Sequence, residues 1–230
     1  MKIKGFQKTS LIDFKPYITS VVFVGGCSFR CKYCYNPDLV LNPDTLPDIP
    51  EREIFDYIEA KKTFIDAVCI TGGEPCIYED LIDFCRKLKE KGFLVKLNTN
   101  GSRPEILKKL IDDRLIDKVS MDIKSCLDNY NEVAGVEVDK FTILKSIELI
   151  MNSGVDYSFN TTAIPGIVDK KEIFKITKII KNAKKYNINS FISNKKLIGK
   201  ELENSRTFSK QELEELKKIA EEHIEKVELP

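Results

Sequence analysis

Gly25-Gly26-Cys27-Ser28-Phe29-Arg30-Cys31-Lys32-Tyr33-Cys34-Tyr35-Asn36 is the stretch from which the rest of the chain can be read. Three thiolates are one short of closing a four-iron cluster. A cube so held keeps one iron open to a further ligand, much as a catalytic metal site keeps an open position. The other use of such a loop is a structural zinc site, which usually wants a fourth ligand. No further cysteine or histidine stands near the loop, and the one histidine is His223.

Outward from the loop, apolar runs alternate with amphipathic stretches. Residues 18–24 are rich in β-branched side chains and end at Gly25-Gly26, so they predict a buried strand feeding the cysteines. Further strands are expected at 67–70, 93–97, 117–123, 157–163 and, more weakly, 190–193. Helices are expected at 51–62, 79–91, from Pro104, 140–152 and 171–186. A last helix opens with a capping box of Ser209 and Glu212. About six strand–helix units imply an α/β fold with a parallel sheet, fewer units than the eight of a closed barrel. The unusual residues follow the strands: the cysteines, then Gly72-Gly73-Glu74-Pro75, Asn98-Thr99-Asn100-Gly101 and Asp122-Ile123-Lys124. Sites in barrel-like folds lie at that carboxyl edge.

A chain of 230 residues with 42% hydrophobic content supports one domain, 1–230. Its core is expected at about 17–193, with a C-terminal loop and helix at 194–230. Lys+Arg and Asp+Glu nearly cancel to a net charge of +1, which gives no argument for nucleic acid or an acidic membrane surface. No apolar run is long enough to span a bilayer, and the first residues carry no signal-peptide core, so a cytoplasmic location is expected. Seven cysteines, three of them bunched, point to metal rather than disulfides in a reducing compartment.

These residues resemble the radical S-adenosylmethionine (SAM) superfamily, whose hallmark is the spacing of Cys27, Cys31 and Cys34 after the first strand and whose second mark is Gly72-Gly73-Glu74-Pro75. Within it, Ser10-Leu11-Ile12-Asp13-Phe14, Tyr33-Cys34-Tyr35-Asn36-Pro37, Asn98-Thr99-Asn100-Gly101 and Met121-Asp122-Ile123-Lys124 are similar to glycyl-radical-enzyme activating proteins. The likeness is strongest to the activating protein of anaerobic ribonucleoside-triphosphate reductase. The resemblance implies a partial (β/α)6 barrel and a 4Fe–4S cluster on the three cysteines, with SAM chelating the open iron. An electron then cleaves SAM to a 5′-deoxyadenosyl radical that abstracts hydrogen from a glycine of a large partner, and ferredoxin or flavodoxin is the implied electron donor.

On that resemblance, Tyr33 packs near the adenine or shields the cluster. Gly72 and Gly73 let backbone approach SAM, and the Glu74 carboxylate accepts from its methionyl ammonium. Asp122 and Lys124 share a strand face, with Lys124 meeting the SAM carboxylate; the bland alternative is a surface ion pair. Asn98 stands where related activases often carry aspartate, so a SAM contact is implied while a monovalent-cation site is left open. Asn160 and Thr161 are expected to reach SAM, and Thr162 to pack within the sheet. Cys69 and Cys85 read as core thiols. Cys76 and Cys126 are expected at the active edge, and His223 on a helix surface. Two rivals stay open: a radical SAM enzyme acting on a small molecule or peptide, and a non-enzymatic iron–sulfur or zinc module.

Overall fold

The computed structural model describes residues 1–230. Eight strands form one sheet in chain order: β1 (Ile3–Ser10), β2 (Thr19–Val24), β3 (Ala67–Gly72), β4 (Leu94–Thr99), β5 (Lys118–Asp122), β6 (Asp156–Ala163), β7 (Tyr186–Ser190) and β8 (Val227–Glu228). β2 to β8 pair in parallel, and β1 pairs antiparallel with β2. The helices are α1 (Pro37–Leu41), α2 (Glu51–Ala60), α3 (Leu81–Glu90), α4 (Pro104–Asp112), α5 (Tyr130–Ala134), α6 (Lys140–Asn152), α7 (Lys170–Ile179) and α8 (Lys210–Glu221). Six strand–helix units, β2α2 to β7α8, give the partial barrel, with β1 and β8 at the sheet's edges.

Strand alternation gives the sheet two unlike faces. Val22, Val68, Ile70, Val95, Leu97, Val119, Met121, Phe159 and Ile188 point to the helices and join a cluster of 55 buried residues. On α3, Leu81, Phe84, Cys85 and Leu88 meet that face, and each large apolar side chain so buried contributes roughly 1.5–3 kcal/mol. The opposite face carries Lys96 opposite Lys118, Ser120 opposite Ser158, and Asp122 opposite Asn160. This inner face is polar, and it holds the site.

The structure corrects several sequence expectations. β1 and β8 lie outside the strands that the sequence predicts, because β1 is a mixed polar edge strand and β8 has two residues. The short α1 and α5 lie below the length at which periodicity speaks. The helix expected at 171–186 ends at Ile179, since the chain turns at Asn182 with φ 66°. Ile180 and Ala183 stay fully buried in that turn, which prolonged the apparent helical stripe. The sixth strand therefore lies at Tyr186–Ser190, and its alternation is weak because Asn187 and Asn189 face a polar interior. From the C-terminal helix and strand, Leu213, Leu216, Ala220 and Val227 belong to the same buried cluster as Ile3. His223 lies past the end of α8, half-buried and edge-on to Phe174 at 5.9 Å, rather than on a helix surface. No helix is long and apolar enough to cross a membrane.

Candidate cofactor site

A pocket of about 190 Å³ opens where the carboxyl ends of β2 to β6 converge. Cys27, Cys31, Tyr33, Cys34, Gly72, Gly73, Glu74, Asn98, Asp122 and Lys124 all line it. The turns bring them together because parallel strands place every βα turn at one edge of the sheet.

The cysteine loop is fastened from several elements. Arg30 N–H donates to the Ala134 carbonyl at 2.7 Å, and Gly26 N–H donates to Leu39 O at 2.7 Å. The Tyr78 hydroxyl donates to Gly25 O at 2.7 Å. Gly135, at φ 70°, ends α5 against this loop; a Cβ there would lie 2.2 Å from Arg30 O. Phe29 packs edge-on to the buried Tyr130 ring at 6.2 Å.

The Gly72-Gly73 turn lies against the same loop. Gly73 N–H donates to Val24 O at 2.8 Å and Glu74 N–H to Gly26 O at 2.9 Å. A Cβ on Gly73 would stand 1.7 Å from Gly26 O, so only glycine permits this approach.

Glu74 lines the pocket and also braces it. Its carboxylate is 1% exposed and already engaged: Oε1 accepts from Cys76 N–H at 3.0 Å and from the Thr99 hydroxyl at 2.7 Å, and Oε2 from Asn100 N–H at 2.6 Å. Glu74 thus ties the turn after β3 to the turn after β4. Burial raises its pKa, against the pull of those three hydrogen bonds. Asn100 in turn reaches the cysteine loop, its Nδ2 donating to Ser28 Oγ at 3.1 Å and lying 3.7 Å from Cys27 Sγ.

Asp122 and Lys124 do pair, with Lys124 Nζ 2.9 Å from Asp122 Oδ2. The pair stands in the pocket wall rather than on the outer surface: the Lys124 side chain is 15% exposed, and its ammonium lies 5.9 Å from the centre of the Tyr33 ring. Burial alone would lower the Lys124 pKa, but Asp122, Tyr33 and Cys31 carry it well above the ordinary lysine value. Asn98 Nδ2 donates to Thr71 Oγ1 at 3.3 Å, while its Oδ1 is buried without a partner. Asp122 has Lys124 on one oxygen and Asn160 Nδ2, at 3.3 Å, on the other.

The strand β6 residues fall differently from the sequence expectation. Thr162 lines the pocket, Asn160 sits one layer deeper, and Thr161 points away to donate to Ile123 O at 2.9 Å. Cys76 and Cys126 are both buried in the apolar core, and neither lines the pocket. Cys126 sits against Glu172, whose carboxylate also accepts from Ser125 Oγ at 2.6 Å and Asn129 Nδ2 at 2.8 Å. Glu172 steadies the loop after Lys124. No local motif marks it, since α7 reaches that loop only through the fold.

The residues suit a soft metal cluster with an amino-acid-like ligand. Burial pushes Cys27 up to about 12 and raises Cys31 and Cys34, so these are protonated thiols until a metal deprotonates them. No three His, Cys, Asp or Glu side chains close round a single ion. The donors are three thiols along one wall, a side-chain-free glycine turn, an unpartnered buried amide oxygen and a buried ammonium.

A family model described as the radical SAM superfamily matches residues 21–176. The chain belongs to that superfamily. Radical SAM proteins use a 4Fe–4S cluster together with SAM. Over 98% of its length the chain is 35% identical to a Methanocaldococcus jannaschii protein provisionally named a glycyl-radical enzyme activating enzyme, covering 94% of that protein. It is 33% identical to the pyruvate formate-lyase-activating enzyme of Clostridium pasteurianum, over 79% of this chain and 76% of that one. Among solved structures, Streptococcus suis SuiB superposes with a TM-score of 0.69 at 14% identity, over 91% of this chain and 48% of that one. A domain of the Bacteroides vulgatus pyruvate-formate lyase-activating enzyme superposes with a TM-score of 0.57 at 19% identity, over 72% of this chain and 99% of that one. The chain is thus a radical SAM enzyme of activase-like type.

Proposed function

We propose that this radical SAM enzyme abstracts hydrogen from a glycine of a partner glycyl-radical enzyme. The observation that carries the reading is the gathering of the cysteine loop, the Gly72-Gly73 turn, Asn98, Asp122 and Lys124 around one pocket. The near full-length similarity to the M. jannaschii protein supports it.

In this reading Cys27, Cys31 and Cys34 hold the 4Fe–4S cluster. When bound, cluster and SAM supply a carbon radical able to abstract hydrogen. Gly72 and Gly73 admit the methionyl end of SAM against bare backbone. Asn98 Oδ1 accepts from it, and Lys124 neutralises its carboxylate. Tyr33 walls the pocket beside Lys124. Glu74 acts at one remove, as a positioning residue that keeps the two turns in register. A monovalent cation would have Asn98 Oδ1 as its available side-chain oxygen beside the engaged Asp122.

The partner assignment is anaerobic ribonucleoside-triphosphate reductase, with ferredoxin or flavodoxin as electron donor; its support is the resemblance of the motifs at residues 10–14, 33–37, 98–101 and 121–124. The test is anaerobic incubation of the reconstituted chain with SAM, a reductant and either that reductase or pyruvate formate-lyase. A glycyl-radical signal in electron paramagnetic resonance on the reductase alone is expected. A signal on pyruvate formate-lyase alone reassigns the partner, and no signal on either, with SAM still cleaved, removes the activase reading.

A further inference from the structure

Directly beneath the cofactor pocket, the inner faces of β4 to β7 surround a second cavity of about 500 Å³. A closed barrel fills this space with branched apolar side chains. Here the walls are Lys96, Lys118, Ser120, Ser158, Asn160 and Asn187. Their walls touch at one point: Asn160, in the lower wall, donates to Ser120 Oγ at 2.9 Å and to Asp122 Oδ1, in the wall of the upper pocket, at 3.3 Å. Lys96 lies two residues before Asn98 on the same strand face.

The charges here are unbalanced in a specific way. Lys96 and Lys118 are directly opposite on neighbouring strands, an arrangement in which like charges repel. Lys118 is offset by Asp156 at 2.6 Å, and Lys185, also on the wall, by Glu228 at 2.7 Å. Lys15 stands exposed at the rim. Lys96 has no carboxylate partner; its ammonium donates to the Asp13 backbone carbonyl at 2.5 Å. The Asp13 carboxylate itself accepts from Ser10 Oγ at 2.5 Å. An ammonium has three donors, so Lys96 keeps two for a ligand. Burial lowers its pKa, which an anion in the cavity would reverse.

We propose that this chamber is a carboxylate-binding subsite for the substrate, anchored by Lys96 and assisted by Lys118. Outside the ion pairs, the charged lining side chains are Lys96, Lys15 at the rim and the Asp13 carboxylate, which leaves one net positive charge and suits a carboxylate better than a phosphate dianion. The hydroxyls and amides of Ser120, Ser158 and Asn187 supply further hydrogen-bonding groups. The inference rests on the radical-enzyme reading of the pocket above, which makes the adjoining space the substrate's. The carboxylate belongs either to an acidic side chain of an inserted partner segment or to a small free acid.

The test uses the full chain, anaerobically reconstituted and loaded with SAM. A short glycine-centred peptide bearing aspartate beside the glycine is compared by calorimetry with its asparagine counterpart. Sodium acetate is titrated in parallel at constant ionic strength, with chloride as control. The chain is expected to prefer a carboxylate probe over its control by about 10-fold or more, the scale of a charge-assisted hydrogen bond. Preference for the aspartate peptide assigns the carboxylate to a partner segment; preference for acetate alone assigns it to a small acid. Lys96→Met is expected to abolish the preference, Lys96→Arg to keep it and Lys118→Gln to weaken it. Equal binding of both probes and their controls by the unaltered chain overturns the proposal, as does a folded Lys96→Met chain that keeps the preference. Loss of the glycyl-radical signal with the carboxylate preference intact would instead remove the activase reading and leave the subsite standing.

Discussion

Glu74 Oε2 accepts the backbone N–H of Asn100 at 2.6 Å, joining the turns that follow β3 and β4. With Thr99 and Cys76 on the other oxygen, a single buried carboxylate holds two walls of the cofactor pocket together. Glu74→Gln presents an amide N–H to donors that need an acceptor. It is expected to destabilise the fold by about 2 kcal/mol, the cost of an unsatisfied buried group. Urea denaturation of the cluster-free chain measures this, and an unchanged midpoint would show that the three hydrogen bonds carry no net stability.

Gly73 meets backbone, not a flexible side chain, so Gly73→Ala cannot be relieved locally. A loss of about 3 kcal/mol or more is expected, at the upper end of overpacking costs, with reduced iron uptake on reconstitution. Melting temperature and iron per chain report the two effects. A variant that melts and loads like the parent contradicts the close approach of Gly73 to Gly26.

The cysteines divide into two chemical groups. Cys31→Ala is expected to lose the cluster absorbance and all SAM cleavage. Cys85→Ala, altered on the core face of α3, is expected to keep both while losing about 1 kcal/mol of stability. Production of 5′-deoxyadenosine by the Cys31 variant would remove it from the ligand set.

Asn98 offers a sharper separation of folding from binding. Its buried Oδ1 has no partner in the protein, so Asn98→Ala is expected to cost the cluster-free fold less than about 1 kcal/mol. The same change should weaken SAM binding to the reconstituted chain by about 10-fold, measured by equilibrium dialysis. Undiminished SAM affinity would rule out the Asn98 contact.

The edge strand β8 carries an acid-sensitive lock. Lys185, then Lys226, hold Glu228 down to about 2 from an ordinary 4.5. A depressed carboxylate stabilises the folded chain above its unfolded pKa and loses that contribution as pH falls through the folded value. The lock is therefore complete above about pH 4.5 and fades toward pH 2. Glu228→Gln should flatten the melting-temperature profile across that window. A profile parallel to the parent's there would mean that the two lysines do not act through Glu228.

Much of this protein is legible along the chain because its signals are local. Thiol spacing, paired glycines before Glu74 and apolar alternation in β2 to β6 each lie within a few residues. The parallel order of those strands then forces their turns to one edge. The capping box of Ser209 and Glu212 likewise appears where expected, both reciprocal hydrogen bonds formed.

Tertiary structure alone decided the rest, because those features depend on partners distant in sequence. The sequence marks Glu74 as a polar residue near a ligand; the fold encloses it with Thr99 and Asn100 and turns it into a cross-brace. It also sets Thr162 in the pocket and lowers Asn160 into the chamber beneath, a difference of one pleat that no motif records. Lys96 and Lys118 are unremarkable lysines until parallel register sets them side by side on a polar inner face. Residue chemistry determined which cofactors this chain is built for, and only the packing of strands against one another decided which side chains brace the site and which are left free to meet a substrate.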